Sequence, residues 1–297
     1  VDLDPSPGVR DYQCGDASYD GHKGTDIAIR DTAVMAAGVE VLAAAPGTVL
    51  STRDGMADID FNKIGGRDAV KGRECGNGIV VDHGDGWTTQ YCHLRRDSVA
   101  VAKGQSVERG QRLGFVGHSG LAQFPHVHMS VRHGKTVVDP YVGLAAPRGK
   151  VPTCGPGPAP LWDAAIAARL IYPPLAVYGL GFAAQAPKAD AVRRGLYRDD
   201  VLSKSARALI LWAELFRTHS GDQVTMRIHG PDGEMVLDLT KTLEKGHARR
   251  LLFAGRKRKA LFWPVGEYRG EIHVVRKASA ATGTGKDVSQ TRTITVR

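Results

Sequence analysis

Three small patterns in the first half of the chain carry side chains able to hold a metal and move protons. His22 and Asp26 form an H-x-x-x-D, Tyr91-Cys92-His93-Leu94 contains a lone histidine, and His126-Val127-His128 is an H-x-H. Residues i and i+2 of a strand point to one face, so His126 and His128 present two imidazoles side by side. Both can face one metal, or one can bind while the other faces a substrate. His22 and Asp26 lie at a turn-to-strand entry, where a folded-back loop turns both side chains inward. Two histidines and one carboxylate leave a tetrahedral ion with an open position, which is the ligand pattern of a catalytic zinc. A closed structural site would use cysteines, and the four here lack C-x-x-C spacing. An open metal position activates water and polarises a carbonyl. Neutral histidine suits the accompanying proton transfers near neutral pH, and His93 and one of the H-x-H pair remain for that work. Each pattern alone more often marks an ordinary surface or core histidine; their co-occurrence is what points to chemistry.

The elements that must hold these residues read as strands. Thr25 to Ile29 begins an alternating strand, Val39 to Leu42 and Gly47 to Thr52 follow, and Ile79 to His83 and Trp87 to Leu94 flank a Gly84-Asp85-Gly86 turn, a hairpin signal. Leu113 to Val116 and Val127 to Val131 are further strands. Residues 54–78 are Gly-rich and charged without clean periodicity, as in an extended functional loop. His83 belongs to the hairpin turn and His118 to a Gly-rich turn beside Ser119, which lacks the G-x-S-x-G of a serine nucleophile. Thirty-six Gly and fifteen Pro suit a chain of many turns.

The ordered segments resemble the M23 zinc metallopeptidases, the family of lysostaphin and the LytM-type peptidoglycan endopeptidases. They are His22-Lys23-Gly24-Thr25-Asp26-Ile27-Ala28, Asp82-His83-Gly84-Asp85-Gly86-Trp87, Tyr91-Cys92-His93-Leu94, Gly114-Phe115-Val116-Gly117-His118-Ser119-Gly120 and Pro125-His126-Val127-His128. The resemblance spans roughly residues 20–142. It implies an antiparallel-sheet fold with Zn2+ on the floor of a groove, held by His22, Asp26 and His128. It implies catalytic roles for His93 and His126, orienting and deprotonating a metal-activated water and steadying the tetrahedral oxyanion. The expected substrate is peptidoglycan, cut at an amide of stem crosslinks rather than of glycine bridges. The alternative is a non-catalytic relative that activates another wall hydrolase. Cys92 replaces a small residue of the family, Phe124 a glycine, and Met129-Ser130 an aromatic-acid pair. Some relatives plug their metal with an N-terminal segment, and Asp2, Asp4, Asp11, Asp16 and Asp20 are available for that.

A length of 297 residues, 42% hydrophobic and 24% charged, is ordinary globular composition and excludes disorder as the main state. No uncharged apolar run is long enough for a transmembrane helix. Pro147, Pro152 and the run Cys154-Gly155-Pro156-Gly157-Pro158-Ala159-Pro160 divide the chain into a peptidase-like domain (1–154), a linker (155–160) and a second domain (161–297). The second domain has seven or so short strands, among them Leu175 to Phe182, Ala208 to Phe216, the hairpin Val224 to His229 and Glu234 to Leu239, and Ala260 to Trp263. They suggest a β-sandwich, making the whole chain all-β. From residue 155 onward there are 23 Lys and Arg against 13 Asp and Glu, so the net charge of +9 belongs to this half. The densest basic run, Arg256-Lys257-Arg258-Lys259 after Arg249-Arg250, reads as a solvated loop or as a surface for an anionic wall polymer or a protein partner. No nucleic-acid-binding signature accompanies it. An even cysteine count, and a first residue Val1 as left by a removed leader, favour a periplasmic or secreted protein, with Cys14–Cys154 and Cys75–Cys92 the expected disulfides.

Overall fold

The computed structural model describes residues 1–144, 154–170, 172, 175–278 and 285–297. Contacts divide the chain into two units, Val1–Ile171 and Tyr172–Arg297. The first contains β1 (Thr25–Ala28), α1 (Thr32–Ala37), β2 (Glu40–Leu42), β3 (Gly47–Arg53), β4 (Asn77–Asp82), β5 (Trp87–Leu94), β6 (Ser106–Val107), β7 (Arg112–Phe115), β8 (His126–His133) and β9 (Thr136–Val138). A seven-stranded antiparallel sheet runs β1-β8-β5-β4-β3-β6 with β9 on the other end of β8, while β2 and β7 form a separate pair.

The strand β8 shows why this sequence folds this way. Val127, Met129 and Val131 point into a core shared with Ile79, Val81, Tyr91, Leu94 and Leu113. The intervening residues His126, His128 and Ser130 then face the other side, as the period of two requires. The neighbour β5 is in register, with Tyr91 opposite Met129 on the core face and Cys92 opposite His128 on the other. The β4–β5 hairpin closes through Gly84, Asp85 and Gly86, all at positive φ (81°, 49° and 80°), which glycine adopts without cost and Asp tolerates.

Both expected disulfides are present, Cys14–Cys154 and Cys75–Cys92. The 54–78 segment is less open than its composition suggests. It holds two 3-10 turns, Phe61–Ile64 and Gly66–Val70, and it is tied down by carboxylates. Asp54 accepts from the amides of Asp97 and Val99, and Asp58 from those of Arg96 and His118. The Pro/Gly run after Cys154 is bonded into the first unit: Gly155 N–H donates to Tyr12, Gly157 to Tyr141 and Leu161 to Pro140. Pro147 and Pro152 lie outside the described residues.

The second unit contains β10 (Ala176–Ala183), β11 (Val201–Leu202), β12 (Ala208–Thr218), β13 (Gln223–His229), β14 (Met235–Thr242), β15 (His247–Lys257), β16 (Gly266–Arg276) and β17 (Lys286–Val296). Sheet β10-β12-β15 faces sheet β11-β17-β16-β13-β14. Leu209, Leu211 and Leu215 from one and Met226, Ile228, Tyr268, Ile272 and Val274 from the other share one buried core, so the unit is a β-sandwich. Two expectations are corrected here. Arg249, Arg250, Arg256 and Lys257 lie in a strand, β15, rather than in a loop. The strand is pulled into place by Arg249, whose guanidinium donates to both oxygens of the buried Glu214 at 2.6 and 2.7 Å. Residues 260–263, expected as a strand, form an irregular loop, because Arg258 takes up the carbonyls of Ala260 and Leu261 and Pro264 follows.

Candidate functional site

All five singled-out residues converge on the polar face of β8. Asp26 lies opposite His128, and Ala28 opposite His126, in the β1–β8 ladder. His22 enters from the preceding loop, which is held by Asp2: its amide donates to the His22 carbonyl and its carboxylate accepts from Gly21 N–H. Gly24 is required beneath the site, since a Cβ there would stand 2.5 Å from His128 Nε2.

His22 Nε2, Asp26 Oδ1 and His128 Nδ1 meet at one point. The separations are 3.1 Å between His22 and Asp26, 3.1 Å between the two imidazoles and 2.8 Å between His128 and Asp26. The tautomer of His128 follows from its other nitrogen. Ser130 Oγ donates its single proton to the Lys23 carbonyl at 2.7 Å, so toward His128 Nε2, 3.1 Å away, it accepts. Nε2 therefore carries the proton of the neutral ring, and Nδ1 directs a bare lone pair at a carboxylate oxygen and at a second imidazole. A bare Nδ1 and a carboxylate oxygen 2.8 Å apart repel one another unless a cation or a donated proton lies beside them. The donor chemistry thus fits a metal ion. Among the described residues this trio is the one group of metal-capable side chains found this close together.

Beside the trio stand two more imidazoles whose rings lie 4.6 Å apart, centroid to centroid. His93 Nδ1 donates to the Ser119 carbonyl at 2.8 Å, and His126 Nδ1 to the Phe124 carbonyl at 2.8 Å. Both rings therefore keep Nε2 unprotonated, and His126 Nε2 is 3.8 Å from Asp26 Oδ1. Burial, reinforced by the neighbouring His126, pushes the His93 pKa down to about 3; burial also lowers that of His126. Both are neutral bases in the folded chain.

His93 has φ 63°, a conformation rare outside glycine and typical of residues held by their surroundings at functional sites. Its amide donates to the Cys75 carbonyl at 2.8 Å, and its carbonyl accepts from Gly117 at 3.0 Å. The Cys75–Cys92 disulfide fixes the partner of that first bond to the residue just before His93.

His83 is structural: its nitrogens reach the Pro46 carbonyl (2.7 Å) and Thr89 Oγ1 (2.8 Å). Ser119 Oγ donates to the Leu94 carbonyl at 2.8 Å and accepts from Asn77 N–H, so it is no nucleophile. No aspartate of residues 1–20 joins the trio. Asp2 and Asp11 instead cap amides of their own segment. Ser130 is a site residue that motif spacing did not single out. Its signal is the alternation itself, which continues H-x-H to H-x-H-x-S. Ser130→Ala removes the group that fixes the His128 tautomer. Outer-shell losses of this kind cost roughly 10- to 100-fold in metal affinity. Competition with a chromogenic chelator should show that weakening with the fold intact.

Residues 20–140 match the sequence profile described as Peptidase family M23. Over 107 residues the chain is 34% identical to peptidoglycan DD-endopeptidase ShyA of Vibrio cholerae, covering 36% of this chain and 19% of that protein. Over 102 residues it is 33% identical to cell division protein DipM of Caulobacter vibrioides, covering 34% of this chain and 15% of that one. The matched stretch thus spans a fifth or less of these two relatives. A zinc containing peptidase from Vibrio cholerae is similar at 30% identity and a TM-score of 0.30, over 40% of this chain and 29% of that structure.

Proposed function

We propose that this chain, whose residues 20–140 match Peptidase family M23, is a zinc-dependent endopeptidase that hydrolyses amide bonds in peptidoglycan peptides. The observation that carries the reading is the convergence of one ligand atom each from His22, Asp26 and His128 beside two neutral histidines with open Nε2 atoms. His22, Asp26 and His128 would hold the ion. Two imidazole nitrogens and one carboxylate oxygen are a donor set that zinc takes. Zinc bound there supplies a Lewis acid and lowers the pKa of a coordinated water.

The protein groups account for the remaining steps. His93 Nε2 takes the proton of the attacking water, because its Nδ1 is committed to the Ser119 carbonyl. The same nitrogen then returns that proton to the leaving amine. His126, with Nδ1 held by the Phe124 carbonyl, directs a bare Nε2 into the same space, where it accepts a hydrogen bond from the attacking water and orients it for transfer of its other proton to His93. The disulfide-anchored left-handed turn at His93 keeps this base positioned before substrate arrives.

Stem-peptide crosslinks are the favoured bond. The support is the similarity to ShyA, a peptidoglycan DD-endopeptidase. Two disulfides support an oxidising compartment, the periplasm or the exterior. Among the described residues no helix is long and apolar enough to cross a membrane.

The test is digestion of purified crosslinked peptidoglycan by the full chain, with and without a chelator and with zinc returned, read by mass spectrometry of released muropeptides. Chelator-sensitive loss of crosslinked dimers is expected, restored by zinc. Protein carrying one zinc per chain that releases nothing would overturn the reading in favour of a regulator of another hydrolase.

A further inference from the structure

The second unit presents an apolar loop tip beside a cluster of cationic side chains. Between β15 and β16, Leu261 is 76% exposed, Phe262 47% and Val265 61%. Such side chains would normally fold inward, and here the backbone holds them out. Arg258 N–H donates to the Arg207 carbonyl, and the Arg258 guanidinium binds the carbonyls of Ala260 and Leu261. Trp263 is pinned twice, its amide to the Lys204 carbonyl and its indole Nε1 to the Ala206 carbonyl, each at 2.9 Å. Tyr268 Oη donates to the Pro264 carbonyl. The exposed tip is therefore preformed.

The two segments that make this corner, 203–207 and 256–265, contain six basic residues (Lys204, Arg207, Arg256, Lys257, Arg258, Lys259) and no Asp or Glu. Lys204 Nζ lies 5.3 Å from the centroid of the Phe262 ring. Arg207, Arg256 and Lys257 also rim a cavity of about 590 Å³ whose other lining includes Ile210, Phe253 and Gly255, so the cationic edge continues onto a second apolar surface.

We propose that the 258–265 loop of the second unit is a membrane-docking tip that inserts Leu261, Phe262 and Val265 into the interface of an anionic phospholipid bilayer while the surrounding Lys and Arg side chains engage lipid phosphates. The chemistry selects this partner. A soluble polyanion is satisfied by the charges and gains nothing from exposed leucine and phenylalanine. An apolar protein groove is satisfied by the tip and gains nothing from six cations. Interfacial lipid rewards both, through buried apolar area and through attraction to anionic headgroups. An exposed apolar cluster with a charged rim is itself a mark of an interaction surface.

The experiment is cosedimentation of the full chain with vesicles of equal parts phosphatidylglycerol and phosphatidylcholine, against pure phosphatidylcholine. Binding should favour the anionic vesicles and weaken with salt. The double variant L261S/F262S, altering exposed side chains only, should lower partitioning about tenfold or more, from the apolar area no longer buried. K257Q/K259Q should weaken binding and flatten its salt dependence. A Phe262→Trp reporter should shift its emission to the blue with anionic vesicles and not with polyphosphate. Undiminished binding by L261S/F262S, or an equal response to polyphosphate, would overturn the proposal in favour of a polyanion surface such as one for a wall polymer. Absence of binding to anionic vesicles would overturn it outright.

Discussion

His128→Ala should leave a folded chain that neither retains one zinc through dialysis nor cleaves crosslinked peptidoglycan. His128 donates from the middle of β8 with its Nδ1 2.8 Å from Asp26 and 3.1 Å from His22, so its loss removes one of three proposed ligands. The substitution is otherwise mild, because the core residues of β8 are the neighbours Val127 and Met129 on the opposite face. Lewis-acid stabilisation worth several kcal/mol is at stake, so hydrolysis should fall on the order of a thousandfold or more. His93→Ala separates binding from proton transfer. It should keep its zinc and lose roughly 100- to 10,000-fold in kcat, the range for a positioned general base. Metal content by emission spectrometry and muropeptide release are both needed. If His128→Ala kept full activity, or if His93→Ala lost its zinc along with its turnover, the assigned roles would be wrong.

The contrast between these residues and others shows what a sequence makes legible. The H-x-H pair belongs to a strand whose apolar residues alternate with it, so the shared face of His126 and His128 follows from period alone. The hairpin between Ile79 and Leu94 is legible because Gly-Asp-Gly supplies the three positive-φ residues that its turn requires. The tautomer of His128 is not legible, since it depends on Ser130 meeting the carbonyl of Lys23, 107 residues away. The basic stretch from Arg249 to Lys257 misleads for the same reason. Locally it resembles a solvated loop, while its strand state depends on Glu214, 35 residues before Arg249, buried at 2% exposure and accepting both guanidinium bonds. Charge partners distant in sequence leave no local pattern. Apolar runs and apolar alternation do, and the sandwich strands β10 and β12, as runs, and β13, as an alternating strand, are accordingly readable.

Asp222→Ala should strongly destabilise the second unit. Asp222 is fully buried and Arg276 is 5% exposed. Arg276 Nε and Nη2 donate to the two carboxylate oxygens at 2.7 and 2.8 Å, and Nη2 also reaches the Arg217 carbonyl at 2.6 Å. The carboxylate additionally accepts from the His219 amide at 2.7 Å, closing the turn between β12 and β13. These bonds tie the end of β12 in one sheet to the end of β16 in the other. Removing the carboxylate strands a guanidinium in the interior and an amide without its acceptor. Breaking a buried pair in this one-sided way costs about 3–5 kcal/mol, a large part of a domain's usual 5–15. For a unit of this size that corresponds to a fall in Tm of roughly 10–20 °C. Scanning calorimetry of the full chain, with tryptophan emission from Trp212 and Trp263 as a second probe, should show the sandwich melting earlier. Asp222→Leu combined with Arg276→Met should recover part of the loss, since it removes both charges together, and only part, because the His219 amide still lacks its acceptor. A double variant no better than Asp222→Ala would mean that the turn, rather than the stranded guanidinium, dominates the cost.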